Sequence, residues 1–102
     1  MERPRVLLVE DDRLVGPLLR ARLQSMGYEV AHVATAAEAL DHDSAHLPHL
    51  IVMDVGLGEG IDGIVAAGAI RRARDVPIVF LTARTDPVTL ARAGLIEDTR
   101  CV

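Results

Sequence analysis

The stretch VLLVEDD, residues 6–12, decides the fold class because it joins an apolar, β-rich run directly to three acids. Val6–Val9 has the pattern of a short parallel strand that is buried on both faces. Glu10, Asp11 and Asp12 follow at once, and beyond them apolar residues recur at helical spacing. The stretch therefore predicts a buried strand, an acidic turn and then a helix.

The same unit recurs along the chain, so predicted strands and helices alternate. The predicted strands are residues 6–9, 29–33, 50–53 and 76–81, and the predicted helices are residues 13–26, 36–43, 64–74 and 86–94. Thr35-Ala36-Ala37-Glu38 matches the S/T-x-x-E capping box, and Pro17 is expected to loosen or bend the first turn of its helix. Regular alternation of this kind implies right-handed crossovers. The predicted fold class is α/β, a doubly wound parallel sheet in one domain covering residues 1–102.

Polar residues stand where three of the predicted strands end. Glu10 and Asp11 follow the first strand, Asp54 follows the third, and Thr82 follows the fourth. The carboxyl ends of parallel strands share one edge of the sheet, so we expect the three carboxylates to meet there. Like charges oppose one another's ionisation unless a cation lies between them, and Mg²⁺ prefers such oxygen ligands. The sequence predicts a Mg²⁺ site beside Asp54, a carboxylate that can also accept a phosphoryl group.

The segment after Asp54 also fits a different motif. Gly58-Glu59-Gly60-Ile61-Asp62-Gly63 matches G-x-G-x-x-G, which binds a dinucleotide pyrophosphate when it directly follows a strand. Here other residues intervene and the nearby acids would repel phosphates, so we interpret the glycines as giving the loop backbone freedom. His42, His46 and His49 suggest metal ligands, but they fall at a helix end and in a polar loop, which favours a solvated surface.

The amino-acid composition argues against several classes of function. The 102 residues carry a net charge of −4, with 11 positive side chains that are all arginine and no basic block, which argues against direct nucleic-acid binding. Tyr28 and Phe80 are the only aromatic residues, so base stacking is not expected. Cys101 has no partner for an internal disulfide, and no apolar run is long enough to span a bilayer. We expect a soluble, cytoplasmic protein without a membrane contact.

Three motifs in this order resemble the receiver domain of two-component response regulators, the CheY-like family. They are residues 6–12, Asp54 with the closing Asp62-Gly63, and residues 76–83, which read VPIVFLTA. The resemblance covers about residues 5–94. It implies a flavodoxin-like fold of three α/β/α layers with the strand order 2-1-3-4-5.

The resemblance also implies roles for individual residues. Asp54 would accept the phosphoryl group from a phosphohistidine on a sensor histidine kinase or a phosphotransfer protein. Glu10, Asp11, Asp54 and the backbone carbonyl of Gly56 would bind Mg²⁺, and Thr82 would be the hydroxyl that responds to the phosphoryl oxygen. The implied protein is a phosphoacceptor that signals to a downstream protein, and not an enzyme, although it could catalyse its own phosphorylation and dephosphorylation.

The resemblance weakens after Gly94. Receivers continue with a fifth strand that ends in a lysine and then with a fifth helix, whereas residues 95–102 match neither, so the last strand and helix are predicted to be missing. Strand 76–81 would then have an open edge, which predicts a fragment or a chain that associates through that edge, for example as a homo-oligomer.

Loss of the lysine leaves alternatives open. The chain is either a working phosphoacceptor or a degenerate receiver that acts as a phosphorylation-independent interaction module. A Mg²⁺-dependent phosphotransfer enzyme acting on small molecules ranks last, because no pattern in the sequence indicates a substrate pocket.

Overall fold

A computed structural model describes residues 2–55, 63–81 and 99–101 of the chain. The strands are β1 (Arg5–Val9), β2 (Glu29–Val33), β3 (Leu50–Asp54), β4 (Ile78–Leu81) and β5 (Thr99–Cys101). The helices among these residues are α1 (Val15–Ser25), α2 (Ala36–His46) and α3 (Gly63–Ala73). The four predicted strands and the first three predicted helices are therefore confirmed. The predicted helix at 86–94 lies outside the described residues.

The strands form one sheet in the order β2-β1-β3-β4-β5, and every neighbouring pair is parallel. This is the doubly wound, flavodoxin-like α/β architecture that the sequence predicts. The register sets Val9 opposite Met53, so the residues that come next, Glu10 and Asp54, reach the same edge of the sheet. Strand register alone therefore brings together acids that are distant in the sequence.

The structure of residues 99–101 differs from the prediction. The last strand was predicted to be missing, but residues 99–101 pair in parallel with Ile78–Phe80 of β4. A strand of three residues is too short to show the alternation or the apolar run by which strands are recognised in a sequence. The side of β4 that was expected to be open is paired along these residues, and β5 becomes the outer strand of the described sheet, so the homo-oligomer stays a prediction.

The apolar core forms two clusters on opposite faces of the sheet. The larger cluster lies under α2 and α3 and includes Leu7, Val9, Ile51, Met53 and Phe80. The smaller cluster lies under α1 and consists of the four buried residues Val6, Leu8, Val30 and Val52, with Leu19 and Leu23 of the helix packed against it. Alternate residues of β1 and β3 thus face opposite layers, as expected for a sheet that is covered on both sides.

Local side-chain contacts fix the ends of the helices. The Thr35 hydroxyl accepts a hydrogen bond from Glu38 N at 3.1 Å, which confirms Thr35 as the predicted N-cap of α2. This helix ends three residues later than predicted, and Leu47 then adopts the left-handed conformation with a φ of 49°. Pro17 is the third residue of α1, where a backbone N–H has no intrahelical acceptor, so the helix continues through it.

A buried ion pair joins α2 to the end of α3. Asp43 is 4% exposed, and its Oδ1 accepts from Nε of Arg74 at 3.0 Å and lies 2.9 Å from Nη2. Arg74 also donates to the backbone carbonyl of Pro48, in the loop that leads into β3. Burial of a carboxylate is tolerated only when a cation and hydrogen bonds compensate for the lost water. The pair therefore fixes the packing of two helices beside the strand that carries Asp54.

Among the described residues, no helix combines the length and the apolar character needed to cross a membrane.

Candidate acidic site at the carboxyl edge of the sheet

Three acids meet at the carboxyl edge of β1 and β3. Glu10, Asp11 and Asp54 each offer a carboxylate oxygen, and these atoms all lie within 4.8 Å of one another. Glu10 is buried, Asp54 is half-buried and Asp11 is exposed, so the cluster opens to solvent on one side. In the parts of the chain that the structure describes, this is the one group of three or more acidic, histidine or cysteine side chains close enough to share a metal ion. The donor set consists entirely of hard oxygen atoms, which suits Mg²⁺.

The backbone of the acidic turn is held by β2 and by its own side chains. Glu10 N donates to the carbonyl of Val33 at 3.1 Å, which continues the pairing of β1 with β2 by one residue. The Glu10 carboxylate accepts from Asp12 N at 3.0 Å, and the Asp12 carboxylate accepts from Leu14 N and Val15 N at 2.8 and 3.0 Å. These bonds satisfy backbone N–H groups at the start of α1, which begins at Val15, two residues later than its apolar pattern suggests.

The pKa values of two acids in this turn, Glu10 and Asp12, are shifted in opposite directions. Burial raises the pKa of the Glu10 carboxyl; the Asp12 backbone N–H opposes this, while the charges of Asp54 and Asp11 and a hydrogen bond with Asp54 add to it. The backbone N–H groups of Val15 and Leu14 lower the pKa of Asp12 instead. Negative charge is therefore unfavourable inside the cluster and favourable at the helix start. A cation among the three carboxylates would relieve the first effect.

Gly63 allows α3 to start directly against the strand end that carries Asp54. Gly63 N donates to the carbonyl of Val55 at 3.3 Å. A β-carbon at this position would overlap the carbonyl oxygen of Asp54 and would lie 3.2 Å from Met53 Cγ. A side chain at residue 63 would consequently push against the backbone of the proposed phosphoacceptor. This explains the glycine that closes the motif after Asp54.

Two predicted site residues, Thr82 and Gly56, lie outside the described residues, as does most of the glycine motif at 58–63.

The three histidines that suggested metal ligands all lie among the described residues. The rings of His42 and His46 stack with their centroids 4.2 Å apart on α2, and Nδ1 of His49 accepts from Arg5 N at 2.9 Å. His49 thus forms a structural hydrogen bond rather than joining the other two around a metal ion.

Sequence reasoning missed His32. Its Nε2 lies 2.9 Å from the backbone carbonyl oxygen of Glu10, next to the acidic cluster. The residue stands inside a predicted strand and belongs to no motif, so only the pairing of β1 with β2 reveals its position. Strand register is the signal that could have indicated it, because Leu8 lies opposite His32.

The fold and this site together define a class: flavodoxin-like α/β domains with an acidic site at the carboxyl edge of a parallel sheet. Within that class, the chain belongs to the response regulator receiver domain family, whose model matches residues 6–97. The predicted family is thus confirmed.

Known proteins agree with this assignment. The chain is 40% identical over 85 residues to the transcriptional regulatory protein AfsQ1 of Streptomyces coelicolor, covering 83% of this chain and 37% of that protein. It is 41% identical over 81 residues to the uncharacterized transcriptional regulatory protein YrkP of Bacillus subtilis, covering 79% of this chain and 34% of that protein. The non-phosphorylated HemR receiver domain from Leptospira biflexa superposes with a TM-score of 0.88 at 32% identity, covering 98% of this chain and 81% of that one. The chain spans about a third of the length of these two curated relatives.

Proposed function

We propose that this chain is a receiver domain over residues 1–102 that accepts a phosphoryl group on Asp54. The donor would be a phosphohistidine on a sensor histidine kinase or a phosphotransfer protein, and the pathway would be phosphorelay signal transduction in the cytoplasm. The observation that carries the proposal is the convergence of Glu10, Asp11 and Asp54 within 4.8 Å at the carboxyl edge of the sheet. Membership of the receiver family supports it.

The proposed chemistry is a transfer of one phosphoryl group between two proteins. A carboxylate oxygen of Asp54 attacks phosphorus, and an O–P bond forms while the N–P bond of the phosphohistidine breaks. The nitrogen takes the electron pair, and the imidazole that leaves carries a proton. Asp54 suits this role because it is a half-buried carboxylate at a strand end, close to the exposed Asp11. The chain is the acceptor in this step and not an enzyme that turns over a separate substrate.

Glu10, Asp11 and Asp54, with the backbone carbonyl of Gly56, would hold Mg²⁺. When bound, this ion would neutralise negative charge on the transferring oxygens. Burial is the main cause of the raised pKa of Glu10, and the charges of Asp54 and Asp11 add to it, so a cation bound among these acids would favour the ionised form. Thr82 would donate its hydroxyl to the phosphoryl oxygen.

Partner proteins follow from the same proposal. The donor is a histidine kinase or a phosphotransfer protein, and the receiver passes its signal to a protein partner or to a further domain. AfsQ1 and YrkP are named transcriptional regulatory proteins, and this chain matches only about a third of each. A transcriptional output is therefore proposed to act through protein sequence beyond the receiver, because the receiver itself has a net charge of −4 and no basic block for DNA.

One experiment separates a phosphoacceptor from a degenerate receiver. The protein is incubated with Mg²⁺ and acetyl phosphate, and the added phosphoryl group is located by mass spectrometry in the parent, in Asp54→Asn and in Asp41→Asn. Asp41 is an exposed acid on α2 and serves as the matched control. The proposal expects labelling of the parent and the control, and none of Asp54→Asn. Folded parent protein that stays unlabelled would instead support a phosphorylation-independent interaction module.

A further inference from the structure

His32 touches the acidic turn through a single directed hydrogen bond. Its Nε2 lies 2.9 Å from the backbone carbonyl oxygen of Glu10, and both residues are at least partly buried. A carbonyl oxygen can only accept, so Nε2 carries the hydrogen and donates it. The contact joins β2, at the edge of the sheet, to the segment that holds two of the three clustered acids.

This bond fixes the orientation of the peptide between Glu10 and Asp11. The carbonyl of Glu10, the nitrogen of Asp11 and the Cα of Asp11 lie in one plane, because the peptide bond is planar. Glu10 N is already held by the carbonyl of Val33 at 3.1 Å. With both backbone polar groups of Glu10 bonded to β2, the direction in which the chain presents Asp11 is set from that strand.

The ring of His32 is also enclosed by α1. A β-carbon on Gly16 would overlap Cε1 of His32 and would lie 2.7 Å from Nε2, so the ring occupies the space that a side chain would need. Gly16 N in turn donates to the carbonyl of Asp12 at 2.9 Å. The ring is therefore enclosed between the acidic turn and the first turn of the helix that follows this turn, which leaves it little freedom to move away from Glu10.

We infer that His32 is a positioning residue for the acidic site, with Gly16 providing the space for its ring. The inference rests on the proposed function, in which the acidic site binds Mg²⁺ and Asp54 accepts a phosphoryl group. The contact of His32 is with the backbone carbonyl oxygen of Glu10, whereas the atom that Glu10 would offer to a metal ion is a carboxylate oxygen. It acts through the carbonyl of Glu10, and the property that matters is a hydrogen-bond donor at the place of Nε2.

Two variants separate the donor from the bulk of the ring. His32→Gln keeps an N–H donor at a similar reach, whereas His32→Phe keeps a ring against Gly16 but cannot donate. Mg²⁺ affinity is measured by calorimetric titration, and labelling of Asp54 by acetyl phosphate is followed over time. Residues that orient metal ligands typically change metal affinity by about 10–100-fold when replaced. We expect His32→Phe to weaken Mg²⁺ binding by about tenfold and to slow labelling, while His32→Gln stays close to the parent.

The reverse pattern would overturn the inference. If His32→Phe binds Mg²⁺ as tightly as the parent, or if His32→Gln is weakened as much as His32→Phe, the ring serves packing alone. Gly16→Ala is a second route to the same test, because its β-carbon displaces the ring without removing the donor; it is expected to weaken Mg²⁺ binding. Gly68→Ala is its control, since a β-carbon there meets nothing within 4 Å.

A readout without metal or phosphate keeps this inference distinct from the proposed function. Hydrogen exchange at the backbone N–H of Asp12 reports on its bond to the Glu10 carboxylate. Exchange should be faster in His32→Phe than in the parent and in His32→Gln. If the parent neither binds Mg²⁺ nor becomes labelled, the proposed function fails, and this exchange measurement still decides the role of His32. Equal exchange in all three proteins would contradict that role.

Discussion

Replacing Gly63 by alanine should disturb the strand end that carries Asp54. An ideal β-carbon at residue 63 overlaps the carbonyl oxygen of Asp54, and it lies 3.2 Å from both the carbonyl carbon of Asp54 and Cγ of Met53. Two of these three atoms belong to the backbone of β3, which pairs with a neighbouring strand on each side and cannot turn away as a flexible side chain can. Either α3 shifts outwards or the end of β3 moves.

The expected loss of folding free energy can be estimated from the kind of contact. Forcing an extra carbon into a packed site typically costs about 1–3 kcal/mol. For a domain of this size, each kcal/mol lowers the melting temperature by about 4–8 °C, so we expect a fall of about 4–24 °C. Because the overlap involves Asp54 itself, labelling by acetyl phosphate should also slow in protein that is still folded at the assay temperature.

Gly68→Ala is a matched control within the same helix. A β-carbon at residue 68 meets nothing within 4 Å, and alanine is more favourable than glycine in a helix interior by about 0.8–1.0 kcal/mol. Thermal unfolding followed by circular dichroism should show Gly63→Ala less stable and Gly68→Ala more stable than the parent. A Gly63→Ala protein that melts at or above the parent temperature and is labelled at the parent rate would contradict the predicted clash between residue 63 and the Asp54 carbonyl.

Three further predictions concern α2. Asp43→Ala should lower the free energy of unfolding by about 2–3 kcal/mol, as measured by denaturant unfolding. This is below the about 3–5 kcal/mol that is usual for a broken buried ion pair, because the arginine partner is 25% exposed. Asp41→Ala, at an exposed position of the same helix, should change the free energy of unfolding little. Thr35→Ala should cost about 1 kcal/mol in the same assay by removing the cap, and an unchanged midpoint would contradict the capping role. Burial lowers the pKa of His42 in the folded protein below its usual 6.5. The unfolded chain therefore binds a proton at this histidine more readily than the folded protein does, so folding stability is lost as the pH falls below about 6.5. Stability should therefore decline less steeply on acidification in His42→Asn than in the parent, and identical slopes would count against this.

Much of the fold and part of the site could be predicted from the sequence. The apolar run before Glu10 and the alternation of elements gave the parallel sheet, and the rule that functional groups collect at its carboxyl edge placed Glu10 and Asp11 beside Asp54. Short elements could not be predicted in the same way: residues 99–101 carry too few positions for a period to appear. Contacts that depend on register, such as His32 with the Glu10 carbonyl, leave no local pattern, because the two partners come from different strands.

The location of β2 has a consequence for control of the site from outside. In the described sheet, β2 has a single neighbour, β1, and so it forms an outer strand. Outer strands fray more readily than central ones, because fewer bonds must break for them to open. Each fraying event at the end of β2 would release the backbone of Glu10 and leave the acids misaligned until the strand closes again. A change that strengthens the pairing of β2 with β1 would therefore hold the backbone of Glu10 in place for a larger fraction of the time.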